Sequence, residues 1–185
     1  MGMDGTELGT TSQLKFRPLD ICPDSCMMDN MKDTLVDKRQ AAIFDVDGTL
    51  VDVTSIRHHV MGTPKRFDLF HGGAIDCPAN APVVDLLRLC RESGLAIIIV
   101  TARNEQWLYH TLLWLEENGI EHDEIFMRGH KDQRPDYEVK SDILRKIEQR
   151  FNVRLAVDDN PSVIRLWEER GIQTVVVPGW VDSFE

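Results

Sequence analysis

The chain has 185 residues, of which 42% are hydrophobic and 28% charged, with a formal net charge of −10. This length suits one domain with a sizeable core, and no run of about 18 apolar residues predicts a membrane-spanning helix. The acidic balance argues against a protein that wraps long duplex nucleic acid, although it is compatible with a small pocket for one phosphate or one strand end.

Residues 1–38 show no sustained hydrophobic periodicity, and we expect them to form a flexible arm ahead of a single domain over residues 39–185. The arm lacks a charged start followed by an apolar core, so we expect no secretory signal and a cytoplasmic protein. Cys22 and Cys26 lie close together in the arm, but no second Cys or His pair is near, which favours free thiols over a zinc site.

From Gln40 onward, strand and helix patterns alternate. The run Leu95–Val100 is continuously apolar, as expected for a parallel strand that is covered on both faces. The other predicted strands are Ala41–Val46, Glu124–Met127, Arg154–Val157 and Thr174–Val177. Helices are predicted over Pro82–Arg91, from a cap at Asn104 to Gly119, around Ile143, Ile147 and Phe151, and from Asn160 to Gly171. This order predicts a three-layer, Rossmann-like α/β fold with a mainly parallel, five-stranded sheet.

Polar residues gather where three of the predicted strands end. The first strand runs into Asp45 and Asp47, the second into Thr101-Ala102-Arg103, and the fourth into Asp158-Asp159. Ligands of parallel sheets bind beyond the carboxyl ends of the strands, so these groups should share one rim. Burying carboxylates this close together is unfavourable unless a cation lies between them, so the pattern predicts a divalent-metal site.

A hard cation such as Mg²⁺ prefers oxygen ligands in octahedral geometry. The sequence offers Asp45, Asp158 and the main-chain carbonyl of Asp47 as protein ligands. Asp159 is expected to bind the metal directly or through a water molecule.

The remaining groups predict phosphoryl chemistry. Lys140, at the start of the third predicted helix, and Arg103, close to Thr101, would face an anionic substrate. A carboxylate that attacks phosphorus forms an aspartyl-phosphate, and Asp45 is placed for that role. Asp47 could then protonate the leaving oxygen and later deprotonate the hydrolytic water.

In this order, the motifs resemble those of the haloacid dehalogenase (HAD) superfamily of phosphohydrolases, over about residues 41–178. The resemblance implies that Asp45 is the nucleophile and Asp47 the acid/base. It further implies phosphate contacts from Thr101 and Lys140, and Mg²⁺ held by Asp45, Asp47 and Asp158.

A narrower resemblance is to the 3′-phosphatase domain of phage-type polynucleotide kinase/phosphatase, a family that removes 3′-phosphates from nucleic-acid ends and nucleotides. The stretches that carry it are 126–128, 134–140, 151–159 and 163–167. It implies that Arg103 and Asp136 bind substrate, and also Arg57, whose spacing from the first motif differs by one residue.

The chain departs from that family in one respect, because it contains no Gly-x-x-x-x-Gly-Lys-Ser/Thr loop of a kinase. The resemblance therefore implies that a separate kinase or ligase is a partner. The acidic charge keeps a second function open, a small-molecule nucleotidase or sugar phosphatase on the same scaffold.

Residues 52–79 are long for a simple loop, and we expect them to form a small cap over the site, here called the flap. The flap carries a basic cluster that either recognises phosphate, base or sugar or is an ordinary solvated surface. Its members are Arg57, His58, His59, Lys65, Arg66 and His71.

Overall fold

The centre of the fold is a five-stranded sheet, seen in a computed structural model that describes residues 38–179. The strands are β1 (Arg39–Phe44), β2 (Ala96–Asn104), β3 (Glu124–Arg128), β4 (Phe151–Asp158) and β5 (Gln173–Val176). All but the last residue of the predicted arm, together with Cys22 and Cys26, lies outside the described residues.

The strands lie in the order β3-β2-β1-β4-β5, and each neighbouring pair is parallel. The chain therefore proceeds from β1 to β2 and β3 on one side, and then returns to build β4 and β5 on the other. The switch point lies between β1 and β4, and a crevice beyond the carboxyl ends of these two strands is where such sheets bind ligands.

Helices cover both faces of the sheet, and neighbouring residues of β1 point to opposite faces. Ala42 and Phe44 pack in one core with residues of the flap and of the helices that precede and follow β2, whereas Ala41 and Ile43 pack in a second core with the last two helices. The helices are α1 (His58–Met61), α2 (Phe67–Gly73), α3 (Ala81–Glu92), α4 (Leu108–Glu117), α5 (Asp136–Ile147) and α6 (Pro161–Glu169). The predicted three-layer α/β class is confirmed. Within the described residues, every helix is too short or too polar to cross a bilayer.

One predicted helix end is wrong. Phe151 was expected on the third helix with Ile143 and Ile147, but α5 ends at Ile147 and Phe151 begins β4. Phe151 pairs with Arg39 of β1, so the spacing of four residues was coincidental and strand pairing takes precedence over helical periodicity. At the other end, α5 begins at Asp136, which places Lys140 in its second turn rather than at its start.

The flap contains α1, α2 and a short 3₁₀ helix over Ala74–Asp76. Two tryptophans contact the flap from the rest of the domain, here called the main body (residues 38–51 and 80–179). Trp107 packs on Gly72, where an added Cβ would lie 3.4 Å from the indole ring. The buried Trp114 donates a 2.9 Å hydrogen bond from Nε1 to the carbonyl of Cys77. Trp114 is therefore a packing residue that fixes the end of the flap.

Candidate active site

The turn after β1 carries Asp45 and Asp47 to the rim of the sheet. The amide of Asp45 donates to the carbonyl of Val157 at 3.0 Å, so the β1–β4 pairing continues up to this residue. Gly48 is next in the turn, with φ +88°, a conformation that favours glycine, and its amide donates to Val51 at 2.9 Å. The chain thus turns back immediately after the two aspartates.

Three buried carboxylates meet at the switch point. Asp45, Asp158 and Asp159, here called the acidic cluster, each offer an oxygen within 4.8 Å of the others. Lys140 reaches the cluster from α5, with Nζ 2.6 Å from Oδ1 of Asp45 and 2.7 Å from Oδ2 of Asp158. The Lys140 ammonium balances one of three carboxylates, so the cluster keeps an excess of negative charge.

The excess of negative charge contributes to raised pKa values for Asp45 and Asp159. Burial, together with the charges of Asp158 and Asp159, raises the pKa of Asp45 well above its usual range, although Lys140 opposes the change. Burial and the charge of Asp158 raise the pKa of Asp159 to about 7. The pKa of Lys140 is also raised, because the attraction of Asp158 and Asp45 outweighs burial, which alone would lower it. A further cation would relieve the repulsion among the carboxylates.

The acidic cluster fits a hard divalent cation. Oδ2 of Asp159 is buried and has no hydrogen-bond partner within residues 38–179, while Oδ1 lies 3.4 Å from the Thr49 hydroxyl. A buried carboxylate oxygen without a partner is unfavourable, and a bound cation would satisfy it. The donors are all oxygens, which suits Mg²⁺ better than a metal that prefers nitrogen or sulfur.

Asp47 does not join the acidic cluster with its side chain. Arg103 donates hydrogen bonds to both carboxylate oxygens of Asp47, from Nε to Oδ2 at 2.8 Å and from Nη2 to Oδ1 at 2.6 Å. The same guanidinium is fully buried and donates to the hydroxyl of Thr111 at 3.1 Å. Burial alone would raise the pKa of Asp47, but the charge and hydrogen bonds of Arg103 lower it below its usual range. Metal binding by Asp47 through its main-chain carbonyl stays a prediction.

Thr101 and Arg103 lie within β2 rather than beyond it, because the strand continues to Asn104. Thr101 is buried, and its hydroxyl accepts a 3.1 Å hydrogen bond from the amide of Arg103. A hydroxyl that accepts one hydrogen bond can still donate another, so Thr101 retains the capacity to contact an anion.

Asp136 and Arg57 lie in a second layer around the acidic cluster. Asp136 pairs with Arg128 at 2.5 Å and lies 3.4 Å from the Asn160 amide nitrogen Nδ2. The main chain of Asn160 in turn donates to Asp158 at 3.1 Å, so Asp136 is connected to the cluster through Asn160. Arg57 of the flap donates to the carbonyl of Gly179, and a Cβ added at Gly179 would lie 3.5 Å from Oδ2 of Asp159.

A cavity of about 180 Å³ opens beside these groups, between the turn at Gly48, Arg57 of the flap and Gly179. Its lining is mostly polar and includes Asp52 and Asn80. None of the three acidic-cluster residues lines this cavity, and Gly179 is the lining residue that lies nearest to Asp159.

Two site contacts were not predicted from the sequence. His71 of the flap lies 3.6 Å from Oδ2 of Asp47, and the indole of Trp167 lies 3.4 Å from Oδ2 of Asp158. Nothing in the sequence distinguishes His71 from the other flap histidines. Trp167 occupies a helical position whose spacing indicates core packing, and it is indeed fully buried.

Solved structures with the same fold include enzymes of phosphate chemistry. A chain of the Pnkp1/Rnl/Hen1 RNA repair complex matches with a TM-score of 0.67 and 24% identity, covering 80% of this chain and 45% of that chain. The class C acid phosphatase from Bacillus anthracis with tungstate bound matches with a TM-score of 0.59 and 18% identity, covering 76% and 67%. At these identities the likeness shows the fold, and the present chain spans about half the length of the repair-complex chain.

The family assignment comes from the sequence match. Residues 39–179 match the family described as "Polynucleotide kinase PNKP phosphatase domain". This range contains all five strands, the flap and every residue of the acidic cluster. The chain therefore belongs to the family of polynucleotide kinase PNKP phosphatase domains, and it is a phosphatase-type hydrolase of the HAD superfamily.

Proposed function

We propose that the protein is a Mg²⁺-dependent phosphomonoesterase that removes 3′-phosphates from nucleic-acid ends or nucleotides through an aspartyl-phosphate at Asp45. The observation that carries the proposal is the buried acidic cluster, in which Oδ2 of Asp159 has no hydrogen-bond partner within the described residues. Asp47, which accepts hydrogen bonds from Arg103, lies in the same turn as Asp45. Such a cluster is unfavourable in an apolar core without a cation, and it lies at the switch point of the sheet.

Asp45, Asp158 and Asp159 would hold the metal. When bound, Mg²⁺ supplies positive charge that draws the substrate phosphate towards the site and offsets the charge developing on its oxygens. Lys140 keeps Asp45 and Asp158 together, and its position between them orients the attacking oxygen of Asp45.

In the first step, a carboxylate oxygen of Asp45 forms a bond to phosphorus while the bond from phosphorus to the substrate alcohol breaks. Asp47 gives its proton to the departing oxygen, so that a neutral alcohol leaves. The dianionic phosphate opposes the effect of Arg103, because a nearby negative charge raises the pKa of a carboxyl group.

In the second step, water attacks the phosphorus of the aspartyl-phosphate, and Asp47 accepts the proton of that water. Inorganic phosphate leaves and the carboxylate of Asp45 is restored. Thr101 and Lys140 are the proposed contacts of the phosphate oxygens, and both are buried at the rim of the sheet.

The proposed substrate is a phosphorylated strand end or nucleotide. The family description supports it, as does the likeness to a chain of an RNA repair complex. Arg57 would contribute positive charge on the substrate side, whereas the buried Arg103 would act through Asp47, to which it is hydrogen-bonded. Asp136 would act indirectly, since it contacts Arg128 and Asn160. A separate kinase or ligase partner completes the proposal, in keeping with the multiprotein RNA repair complex to which one structural neighbour belongs.

The second candidate is a small-molecule nucleotidase or sugar phosphatase. The net charge of −10 favours it, because long nucleic acids are repelled by an acidic surface. A single phosphorylated end requires only a local pocket, so we place the 3′-phosphatase first.

The test is phosphate release with Mg²⁺ from a matched set of esters: a 3′-phosphorylated and a 5′-phosphorylated oligonucleotide, a 3′- and a 5′-mononucleotide, and a sugar phosphate. We expect the 3′-phosphorylated oligonucleotide to give the highest kcat/KM. A clear preference for mononucleotides or the sugar phosphate would instead favour the second candidate.

Asp45→Asn is the diagnostic variant, and Asp85→Asn is its control. Asn keeps the shape of Asp45 but is a poor nucleophile, so turnover should fall by about a thousandfold or more. Asp85 lies on α3 with a largely exposed side chain, and its replacement should leave turnover unchanged. Normal turnover by Asp45→Asn would rule out the aspartyl-phosphate at this residue.

A further inference from the structure

The flap places a histidine ring beside the proposed acid/base. His71 lies on α2, and its side chain is 12% exposed. Its Nδ1 lies 3.6 Å from Oδ2 of Asp47, just beyond hydrogen-bond distance, and has no other partner within the described residues. A small shift of the flap or of the Asp47 side chain would complete a direct hydrogen bond.

The ring of His71 is held in place by three aromatic neighbours. Its centroid lies 5.9 Å from Phe67 in a stacked arrangement, 5.3 Å from Phe70 edge-on and 6.0 Å from Trp107. Phe67 and Phe70 belong to α2, whereas Trp107 belongs to the main body and also packs on Gly72. Aromatic packing of this kind restricts the orientation of the imidazole.

Simple core packing does not explain this position. A buried imidazole nitrogen without a partner is unfavourable, and an apolar ring would fill the same aromatic pocket without that penalty. The nitrogen instead points towards the carboxylate that Arg103 holds from β2. Asp47 is thus contacted by two elements, a strand of the sheet and the flap.

We propose that His71 is a positioning residue for Asp47, through which the flap orients the acid/base for proton transfer to the leaving alcohol. This inference rests on the proposed function, because it assigns a role within the same site. Arg103 donates hydrogen bonds to both oxygens of Asp47. These bonds by themselves turn the carboxyl group towards β2. A hydrogen bond from His71 to Oδ2 gives a second point of attachment and defines which oxygen faces the substrate.

The variants separate the hydrogen bond from the packing. His71→Phe keeps an aromatic ring among Phe67, Phe70 and Trp107 but removes Nδ1. His71→Asn loses the ring but places an amide near the position of Nδ1. His122→Phe is the control, because His122 lies just before the amino end of β3, whereas the site lies at the carboxyl ends of the strands.

The measurement is kcat/KM with Mg²⁺ for phenyl phosphate and p-nitrophenyl phosphate. The two esters have similar shapes, but phenolate is a much more basic leaving group and depends more on proton donation. Because kcat/KM covers the steps up to formation of the aspartyl-phosphate, it reports on this proton transfer.

We expect His71→Phe to lower kcat/KM about tenfold for phenyl phosphate and less than threefold for p-nitrophenyl phosphate. His71→Asn should recover at least half of the lost selectivity, and His122→Phe should behave as the wild type. In an Asp47→Asn background, His71→Phe should have less than a twofold effect, because a residue that acts through Asp47 has nothing left to position.

An equal fall for both esters in His71→Phe, or no fall, would refute the positioning role while leaving the phosphatase proposal intact. Wild-type protein that releases phosphate from none of the esters, oligonucleotides included, would contradict the proposed function and this inference with it.

Discussion

Lys140→Met tests whether the acidic cluster is held together by charge. The Lys140 side chain is 3% exposed and bridges Asp45 and Asp158 at 2.6 and 2.7 Å. Methionine has a similar length and fills the same volume, so the change removes the ammonium with little loss of packing. Breaking a buried ion pair by removing one partner destabilises a protein by about 3–5 kcal/mol. We expect a loss of that size in the free energy of unfolding when divalent metal is absent.

The assay is urea unfolding with EDTA and with Mg²⁺, for wild type, Lys140→Met and Lys146→Met. Lys146 lies on the same helix but is exposed, so its replacement should change stability by less than about 0.5 kcal/mol. Mg²⁺ at about a hundred times its Kd stabilises a single-site protein by about 2.7 kcal/mol. It should stabilise Lys140→Met more than wild type, because the variant cluster carries more uncompensated negative charge.

Two results would refute this reasoning. The first is a Lys140→Met protein within about 1 kcal/mol of the wild type in EDTA, since the ion pairs would then contribute little. The second is equal stabilisation of both proteins by Mg²⁺, since the metal would then bind elsewhere. Lost activity alone decides nothing, because Lys140 is also a proposed phosphate contact.

Two further predictions concern stability and the extent of the domain. Asp123 accepts hydrogen bonds from the Ile97 amide and from Arg39, which lower its pKa although burial opposes them. The Asp123 carboxylate therefore contributes to the free energy of unfolding at pH values above its unfolded-state pKa of about 4. This contribution is lost as the pH falls through the lower pKa of the folded state. Asp123→Asn should cost about 1–2 kcal/mol at pH 7 and progressively less below pH 4 in urea unfolding, and an unchanged difference at pH 3 would contradict this assignment. Removal of residues 1–37 should leave phosphate release and the melting temperature largely unchanged, because the matched family domain begins at residue 39; a protein that no longer folds would show that these residues stabilise the domain.

The strand ends were predictable because they depend on local patterns. Continuous apolar runs mark strands buried on both faces, and parallel strands place the residues at their carboxyl ends on one rim. Asp45, Asp158 and Asp159 could therefore be assigned to a common site, and the structure brings their oxygens within 4.8 Å. The helix end at Phe151 was not predictable in this way, because its spacing satisfied a helical pattern while its partner, Arg39, lies on another strand.

The pairings inside the site depend on side chains that are distant in sequence. Arg103 was expected to face the substrate, yet it grips Asp47, a residue 56 positions earlier in the chain. His71 lies beside Asp47 because the flap packs on the rest of the domain, where Trp107 and Trp114 are among the residues that contact it. Neither contact can be predicted from a local sequence pattern, because each depends on how two elements of the fold pack together.

The sequence by itself determined the fold class, the rim that carries the chemistry and the residue types of the site, because periodicity and strand-end motifs are local properties of the chain. Only the tertiary structure decided that the side chain of Asp47 pairs with Arg103 and which flap histidine lies beside Asp47. Those choices depend on burial and on distances of a few ångströms, and both arise only when the sheet, its helices and the flap pack together.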